Sequence, residues 1–377
     1  MNKIMNFFHK GEVGEPPWDY YFLQNLPEGE YPRYLAKLFY LNTGEKLPLR
    51  HGVIDKRKCK TFNQKIQWLK LYGVRPLMRD CTDKIKVRDY VKEKIGEEYL
   101  KPVLQVIPKE SHETMRCHCE QVNDNLGLAR QSTLKSEHTM DCHADNKMPP
   151  SARNDRLLKD VTTYFEQINW DKLPNAFVIK TNHGCKWQYI IKDKNLFLQN
   201  KRLFDEVKQN ITGWLEQDYS FWNGFEMQYR NIEPKLIIEE FLGNEKEIPQ
   251  ETEVYCFNGI PKIIKKVHND IPDKLTMYDE NFNCIDLKFL EKEFLVDTPI
   301  DELTKQTIDL SMKLCIKNPS PQLSPARGEG ELFKFVRIDW LIYQNKIYFN
   351  EMTFTPNSGL IPFDRNWNKK LGSYLEI

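Results

Sequence analysis

Two carboxylates near the end of the chain have the spacing to bind a metal ion together. Apolar and polar residues alternate with a period of two on both sides of Asn345, which predicts an antiparallel hairpin. Folding the chain about Asn345 places Asp339 opposite Glu351 and Arg337 opposite Thr353, on one face of the hairpin. Facing carboxylates destabilise a strand pair, whereas a shared hard cation such as Mg²⁺ would stabilise it. The alternative is a solvated hairpin with a loose register, in which the carboxylates do not meet.

A second group of residues could hold phosphate. Lys180 ends a predicted strand, and Gly184 follows it within the run VIKTNHG. A lysine beside a glycine turn with exposed backbone N–H groups can hold phosphate oxygens, although no Walker sequence G-x-x-x-x-G-K-[ST] occurs in the chain. A lysine at the end of an exposed strand would explain the same pattern. His183 in this turn could contact a nucleotide or an acceptor, or it could only fill the turn.

The hydrophobic pattern predicts the strands and helices that must position these residues. One helix should run from a Thr61 cap to Tyr72, and another from Asp83 to a stop at Gly96. The Asn258-Gly259 pair predicts the turn of a hairpin. Further strands are predicted at 100–107, 177–180, 187–191, 235–240, 253–258 and 261–268, and further helices at 203–214 and 301–316.

Two segments interrupt this pattern. Residues 111–160 are polar and weakly periodic, which is typical of an inserted loop, and residues 318–331 are rich in Pro, Ser and Gly. The first segment contains a Cys/His group that could bind zinc, but its spacing matches none of the common structural patterns. The members of this group are Cys117, His118, Cys119, Cys142 and His143.

Composition excludes several classes of protein. With 377 residues, of which 40% are hydrophobic, the chain can bury the core of two or three subdomains. A formal net charge of +1 gives no overall attraction to nucleic acid or to an anionic membrane. No apolar run approaches the roughly 18 residues of a transmembrane helix, and no secretory signal is evident. Nine cysteines at irregular spacing favour a reducing compartment. We therefore expect a cytoplasmic protein.

The order of the signals is more specific than any one of them. A lysine at a helix start is followed by a strand lysine with a glycine turn, an acidic strand end, and a hairpin that carries Asp and E-x-T. In this order the chain resembles the ATP-grasp superfamily, and more closely its TupA-like family, named for teichuronopeptide synthesis. The resemblance covers most of the chain outside the two insertions. It is carried by DKIKVRDYVKEKIGEEYL, LPNAFVIKTNHG, IIEEFL, VYCFNGIPK and FVRIDWLIYQNKIYFNEMTFTPNSGL.

The resemblance implies roles for the residues that hold the nucleotide. Lys84 and Lys180 match the two lysines that contact its phosphates, with His183 and Gly184 in the loop beside them. The loop continues as Cys185-Lys186, where the family tends to carry small residues and a Gly. Lys186 could therefore add a phosphate contact or occlude the loop.

The strand end is implied to hold the base and the ribose. Glu239, Glu240 and Leu242 match the hinge between the lobes, where backbone groups bind adenine. Glu251 would reach a ribose hydroxyl, although this chain has Glu251-Thr252-Glu253 where the family often has Asp-Tyr-Lys.

For the hairpin, the resemblance implies metal binding and catalysis. Asp339 and Glu351 match the Mg²⁺ ligands, and Thr353 stands where many members have Asn. A hydroxyl can also coordinate a hard cation. Arg337 would neutralise charge on the transferring γ-phosphoryl group, so Arg337 and Lys180 are the residues expected to act in catalysis.

The implied fold is α+β: an ATP-grasp fold in which two α+β lobes clamp ATP, preceded by a helical and α/β N-terminal part. We expect the N-terminal part at 1–107, an inserted flexible loop at 108–160 and the first lobe, with the phosphate-binding loop, at 161–242. The second lobe, with the metal-binding hairpin, is expected at 243–377 and includes a second insertion at 317–331.

The implied reaction uses ATP and Mg²⁺ to activate a carboxylate as an acyl phosphate, which an amine then attacks. The residues agree, because the chain offers cations and metal ligands for phosphoryl transfer and no evident nucleophile triad. Our hypothesis is amide formation between an amine and a carboxylate-bearing sugar or polysaccharide precursor, such as a uronic acid of a capsule or cell-wall polymer. No nucleic acid or membrane span is expected, although the protein could associate peripherally with polymer machinery.

Three alternatives stay open from the sequence. The same ATP site could serve a sugar kinase, or the chain could be a glycosyltransferase of a polysaccharide cluster, although it has no clear D-x-D motif. It could also be a non-catalytic relic disabled by its insertions, against which the retained Lys84, Lys180, Asp339 and Glu351 argue.

Overall fold

A computed structural model of the protein describes residues 16–108, 164–244, 247–268, 274–287, 294–315 and 333–377. The Cys/His group and the second predicted insertion, 317–331, lie outside the described residues. The first predicted insertion, 108–160, also lies outside them apart from Pro108. In the ranges described, no helix is both long enough and apolar enough to cross a membrane.

The described residues form the following helices and strands. The helices are α1 (Tyr20–Asn25), α2 (Tyr31–Thr43), α3 (Phe62–Tyr72), α4 (Pro76–Thr82), α5 (Lys86–Ile95), α6 (Lys194–Gln199), α7 (Lys201–Leu215), α8 (Glu302–Cys315) and α9 (Arg365–Tyr374). The strands are β1 (Leu49–Arg50), β2 (Val53–Ile54), β3 (Val103–Pro108), β4 (Phe177–Thr181), β5 (Gln188–Ile191), β6 (Lys235–Glu240), β7 (Gln250–Phe257), β8 (Ile260–Val267), β9 (Lys274–Asp279), β10 (Phe294–Leu295), β11 (Phe335–Tyr343) and β12 (Lys346–Thr353).

Two sheets carry most of these strands. A four-stranded antiparallel sheet has the order β3-β6-β4-β5. A six-stranded sheet has the order β10-β9-β8-β7-β11-β12 and is antiparallel except for the β10–β9 pair. Strand β3 comes from the part of the chain predicted as N-terminal, yet it pairs with β6. The smaller sheet therefore draws on both sides of the first insertion.

Apolar side chains bury the outer face of each sheet. In the four-stranded sheet, Phe177, Ile179 and Ile238 pack against Val207 and Ile211 of α7. In the six-stranded sheet the even-numbered residues of β11 face helices α4, α5 and α8, and the Trp340 indole donates a hydrogen bond to Ser311 Oγ at 2.9 Å. The partners in that second core include Met78, Cys81, Val87, Val91, Leu310 and Leu314.

The opposite face of the six-stranded sheet is divided in two. Tyr255, Ile263 and Phe335 pack against Phe62 and Leu371, which belong to α3 and α9. The rest of this face, on β7, β11 and β12, carries charged residues instead. Burying charged side chains against a sheet is unfavourable unless they are paired with opposite charges or a ligand compensates them.

The hairpin of β11 and β12 has the predicted residue pairs. Asp339 lies opposite Glu351, and Arg337 lies opposite Thr353. Both pairs face the same side of the sheet, because the residues are two apart on each strand. The predicted register is confirmed at these positions.

The hairpin reaches that register differently from the prediction. Its turn consists of Gln344 and Asn345 alone, both with left-handed φ values of 47° and 60°, and closes the Tyr343–Lys346 pair. Left-handed φ at both central residues is the usual geometry of a tight two-residue hairpin. A β-bulge then places one additional residue, Asn350, on β12 between the turn and the carboxylates. The extra residue restores the pairing that a wider turn would have given.

One predicted helix boundary is wrong. The chain was expected to enter a helix at Asp83, but α4 ends just before this residue and α5 begins at Lys86. The Asp83 carboxylate accepts a hydrogen bond from the Ile85 N–H at 2.9 Å, in the junction between the helices. Lys84 therefore lies in a bend rather than on a helix face. The Thr61 cap is confirmed, as a capping box with Gln64.

Candidate active site

In the four-stranded sheet, two lysines contact the same carboxylate. Lys180 on β4 places Nζ 2.7 Å from Glu239 Oε2, and Lys101, just before β3, places Nζ 3.1 Å from the same oxygen. Glu239 lies on β6 between them and is only 3% exposed. Lys101 also donates a hydrogen bond to Oδ1 of Asn350, the bulge residue of β12, at 2.8 Å. This contact joins the four-stranded sheet to the β11–β12 hairpin.

The charges in this cluster are unequal. Burial alone would raise the pKa of Glu239, but Lys180 and Lys101 lower it to about 2. Burial, together with the charge of Lys180, lowers the pKa of Lys101 to about 8. One ionised carboxylate thus lies between two buried lysines. The site is therefore suited to a further anion.

Lys84 joins the cluster through the glycine loop. Its Nζ donates a hydrogen bond to the carbonyl of Gly184, and its backbone N–H donates to the carbonyl of Asn182 at 3.1 Å. The Asn182 side chain donates in turn to Asp83 Oδ1 at 3.1 Å. Burial lowers the pKa of Lys84, and the nearby Lys180 contributes in the same direction. The structure therefore brings the two predicted phosphate lysines to one place.

Gly184 is required by close packing. A Cβ atom at this position would lie 2.2 Å from Cε3 of Trp187. Lys186, two residues on, is exposed and has a left-handed φ of 62°. The loop is thus held tightly at Gly184, whereas the Lys186 side chain stays in solvent.

His183 has its ring nitrogens directed at protein atoms. Nε2 lies 3.1 Å from the carbonyl of Trp214 and 3.2 Å from that of Gln217, and Nδ1 lies 3.2 Å from Asn182 Oδ1. Burial lowers the pKa of His183 to about 4, so the ring is neutral near pH 7. This geometry favours the alternative in which His183 fills the turn and fastens the loop to the end of α7.

On the hairpin, Arg337 lies among three carboxylates. Its Nε donates to Asp339 Oδ1 at 2.7 Å, and Nη2 donates to Asp339 Oδ2. Glu253 and Glu351 each approach the guanidinium to 3.8 Å, and Thr353 Oγ1 accepts from Nη2 at 3.3 Å. The guanidinium thus neutralises part of a charged surface that faces the lysine cluster.

The carboxylates of the hairpin differ in their surroundings. Asp339 is 1% exposed, and burial raises its pKa well above the usual value although Arg337 opposes the shift. Burial would also raise the pKa of Glu351, but Lys84, Arg337 and Lys180 lower it instead. Glu351 therefore lies near both groups. We call the site that the lysine cluster and the hairpin form together the cleft.

The oxygen donors of the hairpin fit a hard cation such as Mg²⁺. A divalent cation would favour the ionised form of Asp339, which burial otherwise disfavours. In the described part of the chain, the hairpin included, no group of three or more His, Cys, Asp or Glu residues is arranged to hold a metal ion. Mg²⁺ commonly takes one or two protein carboxylates and completes its coordination with phosphate oxygens and water. Asp339, Glu351 and Thr353 would suffice in that role.

The remaining predicted residues lie at the end of β6, just after it, and on β7. Glu240 ends β6 with an exposed side chain, and its N–H donates to the Pro102 carbonyl at 3.1 Å. Leu242 follows it in the segment that leads to β7. Glu251 is on the same face of β7 as Glu253, and burial, aided by Glu253, raises its pKa. None of these residues joins the lysine cluster directly.

Two residues of the cleft were not singled out from the sequence. Lys101 contacts Glu239 and Asn350, and Glu253 accepts a hydrogen bond from the Tyr255 hydroxyl and lies 3.7 Å from Lys265 Nζ. Glu253 could have been found by alternation, since it faces the same way as Glu251 on a predicted strand. Lys101 gave no such signal. The sequence predicts it within a strand at 100–107, whereas β3 begins at Val103.

Comparison with known sequences identifies the family. The sequence profile described as TupA-like ATPgrasp matches residues 153–376, which is more than half of the chain. The chain belongs to the TupA-like ATP-grasp family. The predicted family and its α+β ATP-grasp fold are thereby confirmed. No curated protein matches this TupA-like chain.

Several solved structures resemble this TupA-like protein weakly. D-alanine–D-alanine ligase from Bacillus anthracis in complex with ATP has 10% identity and a TM-score of 0.32, over 80% of this chain and 65% of the ligase. The corresponding values are 12%, 0.34, 79% and 70% for the D-cycloserine synthetase DcsG. They are 10%, 0.35, 84% and 67% for D-alanine–D-alanine ligase from Helicobacter pylori. The match spans less than two thirds of the B. anthracis ligase, and similarity at this level transfers no residue role.

Proposed function

We propose that this TupA-like protein is an ATP- and Mg²⁺-dependent carboxylate–amine ligase that acts through an acyl phosphate. The observation that carries the proposal is the meeting of Lys84, Lys101 and Lys180 with the Asp339–Glu351 hairpin in one buried cleft. Phosphoryl transfer needs positioned cations more than covalent chemistry from the protein. The cleft offers cations and hard-cation ligands, and no nucleophile is required of it.

Each group has a distinct part in the proposed reaction. The three lysines hold the phosphates, while backbone groups near Glu240 and Leu242 hold adenine and Glu251 reaches the ribose. Mg²⁺ bound at the hairpin would neutralise charge on the phosphate oxygens. Arg337, already held by Asp339, stabilises the negative charge of the γ-phosphoryl group as it transfers.

The chemical steps balance without a further reagent. A carboxylate oxygen of the acceptor attacks the γ-phosphorus, the bond to the β-phosphate oxygen breaks, and ADP leaves. The amine then attacks the acyl carbon, inorganic phosphate leaves, and the amine loses a proton. The buried cleft limits access of water to the acyl phosphate in the interval.

For the acceptor, we propose a carboxylate-bearing sugar, such as a uronic acid of a capsule or cell-wall polysaccharide, and an amine such as an amino acid. A sugar kinase would use the same nucleotide site but would transfer phosphate to a hydroxyl group. The two reactions give different products, so chemistry separates them.

The first test is ligand-induced stabilisation. ATP with Mg²⁺ should raise the melting temperature of the wild-type protein, because a ligand that binds only the folded state stabilises it by mass action. Glu351→Gln, and Asp339→Asn/Glu351→Gln, should lose the increase. The matched control is Asp205→Asn/Glu206→Gln, which alters two exposed carboxylates on α7 and should retain it. A folded wild type with no increase would overturn the proposal.

The second test traps the intermediate. Hydroxylamine should intercept the acyl phosphate as a hydroxamate, with release of ADP that depends on a uronate acceptor. A phosphorylated sugar without hydroxamate or amide would establish the kinase instead. Transfer from a UDP-sugar without ATP binding would establish the glycosyltransferase.

A further inference from the structure

A cavity of about 290 Å³ lies apart from the nucleotide cleft, between the N-terminal helices and the turn that follows β12. Helix α2 contributes one face to it, with residues at positions 34, 37, 38, 41 and 42, which is the i, i+3, i+4, i+7, i+8 pattern of a single helix face. The other walls come from the chain at Pro17–Asp19, from Trp222–Gly224 and from Leu360. Three distant parts of the sequence thus enclose one space.

The lining combines aromatic surfaces with polar edges. The Trp18 side chain is 68% exposed, and Trp222 and Tyr34 are half-buried. The Tyr34 hydroxyl donates a hydrogen bond to Asp19 Oδ2 at 2.6 Å, which leaves the other carboxylate oxygen for a different donor. Asn42 adds an amide to the lining, and Lys37 is exposed at its edge.

The inner wall of the cavity is close-packed. Gly224 has a left-handed φ of 76°, and a Cβ atom there would lie 2.6 Å from Leu38 Cδ2 and 4.0 Å from Lys70 Nζ. Lys70 is fully buried and donates to Ser358 Oγ at 2.6 Å. A glycine is therefore needed where the cavity meets the buried polar network behind it.

The same network leads to the active site. Asn223 in the cavity wall accepts a hydrogen bond from Ser358 Oγ at 2.6 Å through its carbonyl, and its side chain donates to the Tyr219 hydroxyl at 2.9 Å. The rings of Tyr219 and Trp222 both pack edge-on against the Trp187 ring, at centroid distances of 4.9 Å and 5.1 Å. The Trp187 ring in turn packs against Gly184. Leu360, which also lines the cavity, follows strand β12 by seven residues. A chain of buried contacts thus runs from the cavity wall to the glycine loop of the active site.

We propose that this cavity binds a glycosyl unit of the acceptor, next to the sugar whose carboxylate reacts. A pyranose presents C–H groups on its faces and hydroxyl groups around its edge. The faces suit Trp18 and Trp222, and the hydroxyls suit Asp19, Asn42 and Asn223. The volume is at the lower end of small-molecule sites, roughly 300–1,000 Å³, which suits one sugar ring.

A lipid chain is the less suitable occupant. Covering Asp19, Asn42 and Lys37 with hydrocarbon would remove them from water without hydrogen bonds in exchange, which is unfavourable. A sugar supplies those hydrogen bonds while it covers the aromatic rings. The proposal rests on the proposed ligase function, which it extends by giving the saccharide acceptor a binding site outside the nucleotide cleft.

The test is direct binding of saccharides to the full chain, measured by saturation-transfer NMR. The ligands are methyl β-D-glucuronide, methyl β-D-glucoside and a tetrasaccharide of alternating glucuronate and N-acetylglucosamine. Trp18→Ala removes an aromatic surface, and Leu41→Trp fills the cavity from helix α2. Either change should weaken tetrasaccharide binding about tenfold or more. Lys37→Gln should reduce the preference for glucuronide over glucoside.

The matched control is Tyr40→Ala, an exposed aromatic residue on α2 that does not line the cavity. This variant should bind the tetrasaccharide as the wild type does. Absence of wild-type binding, or binding that Trp18→Ala and Leu41→Trp leave unchanged, would overturn the assignment. Binding to phosphatidylglycerol vesicles that is lost in Trp18→Ala, without any saccharide signal, would replace the sugar by a lipid.

Nucleotide binding distinguishes the two proposals. The cavity variants should keep the wild-type rise in melting temperature with ATP and Mg²⁺, because none of the substituted residues belongs to the cleft. Tetrasaccharide binding without that rise in the wild type would overturn the ligase and leave a saccharide-binding protein. The rise without saccharide binding would overturn the cavity assignment alone.

Discussion

Lys101 adds a second positive charge to a buried ion pair, which suits the site to an anionic ligand. Glu239 alone would satisfy Lys180, yet Lys101 shares the same carboxylate oxygen. Burial makes the second ammonium less favourable, which is why its pKa falls to about 8. A nucleotide phosphate would supply the missing negative charge.

We expect Lys101→Met to weaken ATP binding by about 10- to 100-fold, which corresponds to one charge-assisted hydrogen bond. In the wild type, kcat/KM for ATP should fall as the pH rises through about 8, because Lys101 loses its proton. Lys101→Arg should keep its charge and lack that decrease. Calorimetric titration with ATP and a pH–rate profile measure the two effects.

Lys192→Met is the control for this experiment, since Lys192 is an exposed lysine that follows β5 of the same sheet. It should bind ATP as the wild type does. A folded Lys101→Met protein with unchanged ATP affinity would remove Lys101 from the nucleotide site.

His183 gives a pH dependence of stability. Its pKa is about 4 in the folded protein, below the usual 6.5, so the unfolded chain binds this proton more tightly. The stability is therefore complete above about pH 6.5 and is lost as the pH falls towards 4, by about 3 kcal/mol in all. Urea unfolding at several pH values should show a smaller loss in His183→Gln. Equal losses in both proteins would contradict the account.

The sequence predicted which side chains meet only where the register of a strand pair determines it. Asp339, Glu351, Arg337 and Thr353 meet as expected because an alternating hairpin leaves little choice of partners. Lys101 could not be found in this way, because its contacts with Glu239 and Asn350 join residues more than a hundred positions apart. Such contacts depend on how the sheets pack rather than on local pattern.

The glycine loop between β4 and β5 gives a prediction at the scale of elements. We expect Gly184→Ala to destabilise the protein by about 1–3 kcal/mol, because its Cβ would overlap the Trp187 ring. The loop would also move away from Lys84, so the stabilisation by ATP should decrease. Thermal unfolding with and without ATP measures both changes.

The control is Gly29→Ala, since a Cβ atom there would meet no atom within 4 Å. It should change neither stability nor ATP binding appreciably. A Gly184→Ala protein as stable as Gly29→Ala would show that the Trp187 ring can shift to make room.

The bulge in β12 is visible in the sequence as a change in the spacing of its apolar residues. The prediction of a wider turn gave the same residue pairs and so made a bulge unnecessary. Ile347, Phe349, Met352 and Phe354 all face the same core, at spacings of two, three and two residues. The spacing of three marks the position where the strand holds an extra residue. The turn itself was harder to place, because Gln344-Asn345 lacks the glycine that usually announces it.

At the scale of the whole molecule, two buried charged residues, Lys70 and Glu226, support one turn from distant segments of the chain. Lys70 of α3 donates to Ser358 after β12, and Glu226 accepts from Thr355 in the same turn. Ser358 has a left-handed φ of 56° and is preceded by Asn357 at 48°, so the turn needs support. Lys70 provides it from the N-terminal part of the chain, and Glu226 provides it from the segment before β6.

We expect Lys70→Met to destabilise the protein by about 3 kcal/mol or more, because it leaves Glu226 buried without its cation. Lys70→Met/Glu226→Gln should recover part of that loss, since no uncompensated charge remains. Equilibrium urea unfolding gives both values, and Lys60→Met, at an exposed position before α3, is the control. A double variant no more stable than the single one would contradict the pairing.

The overall assembly was predicted only in outline. The sequence indicated separate N-terminal and lobe regions, and the helices it marked are largely present. It could not indicate that α3, α4 and α5 cover both faces of the six-stranded sheet. Contacts such as Asn63 Nδ2 to the Ile361 carbonyl at 2.7 Å span some three hundred residues, and no local pattern specifies them.

The part of the chain that builds the two sheets is longer than the segment that the family profile matches. The profile match begins at residue 153, yet Lys84, Lys101, strand β3 and helices α3–α5 all precede it and complete the sheets and the cleft. A gene fragment that carried only the matched region into another protein would transfer Lys180 and the hairpin without Lys84, without Lys101 and without the helices that bury the six-stranded sheet. Recombination would therefore preserve this cluster of residues only if it also carried the segment before residue 153.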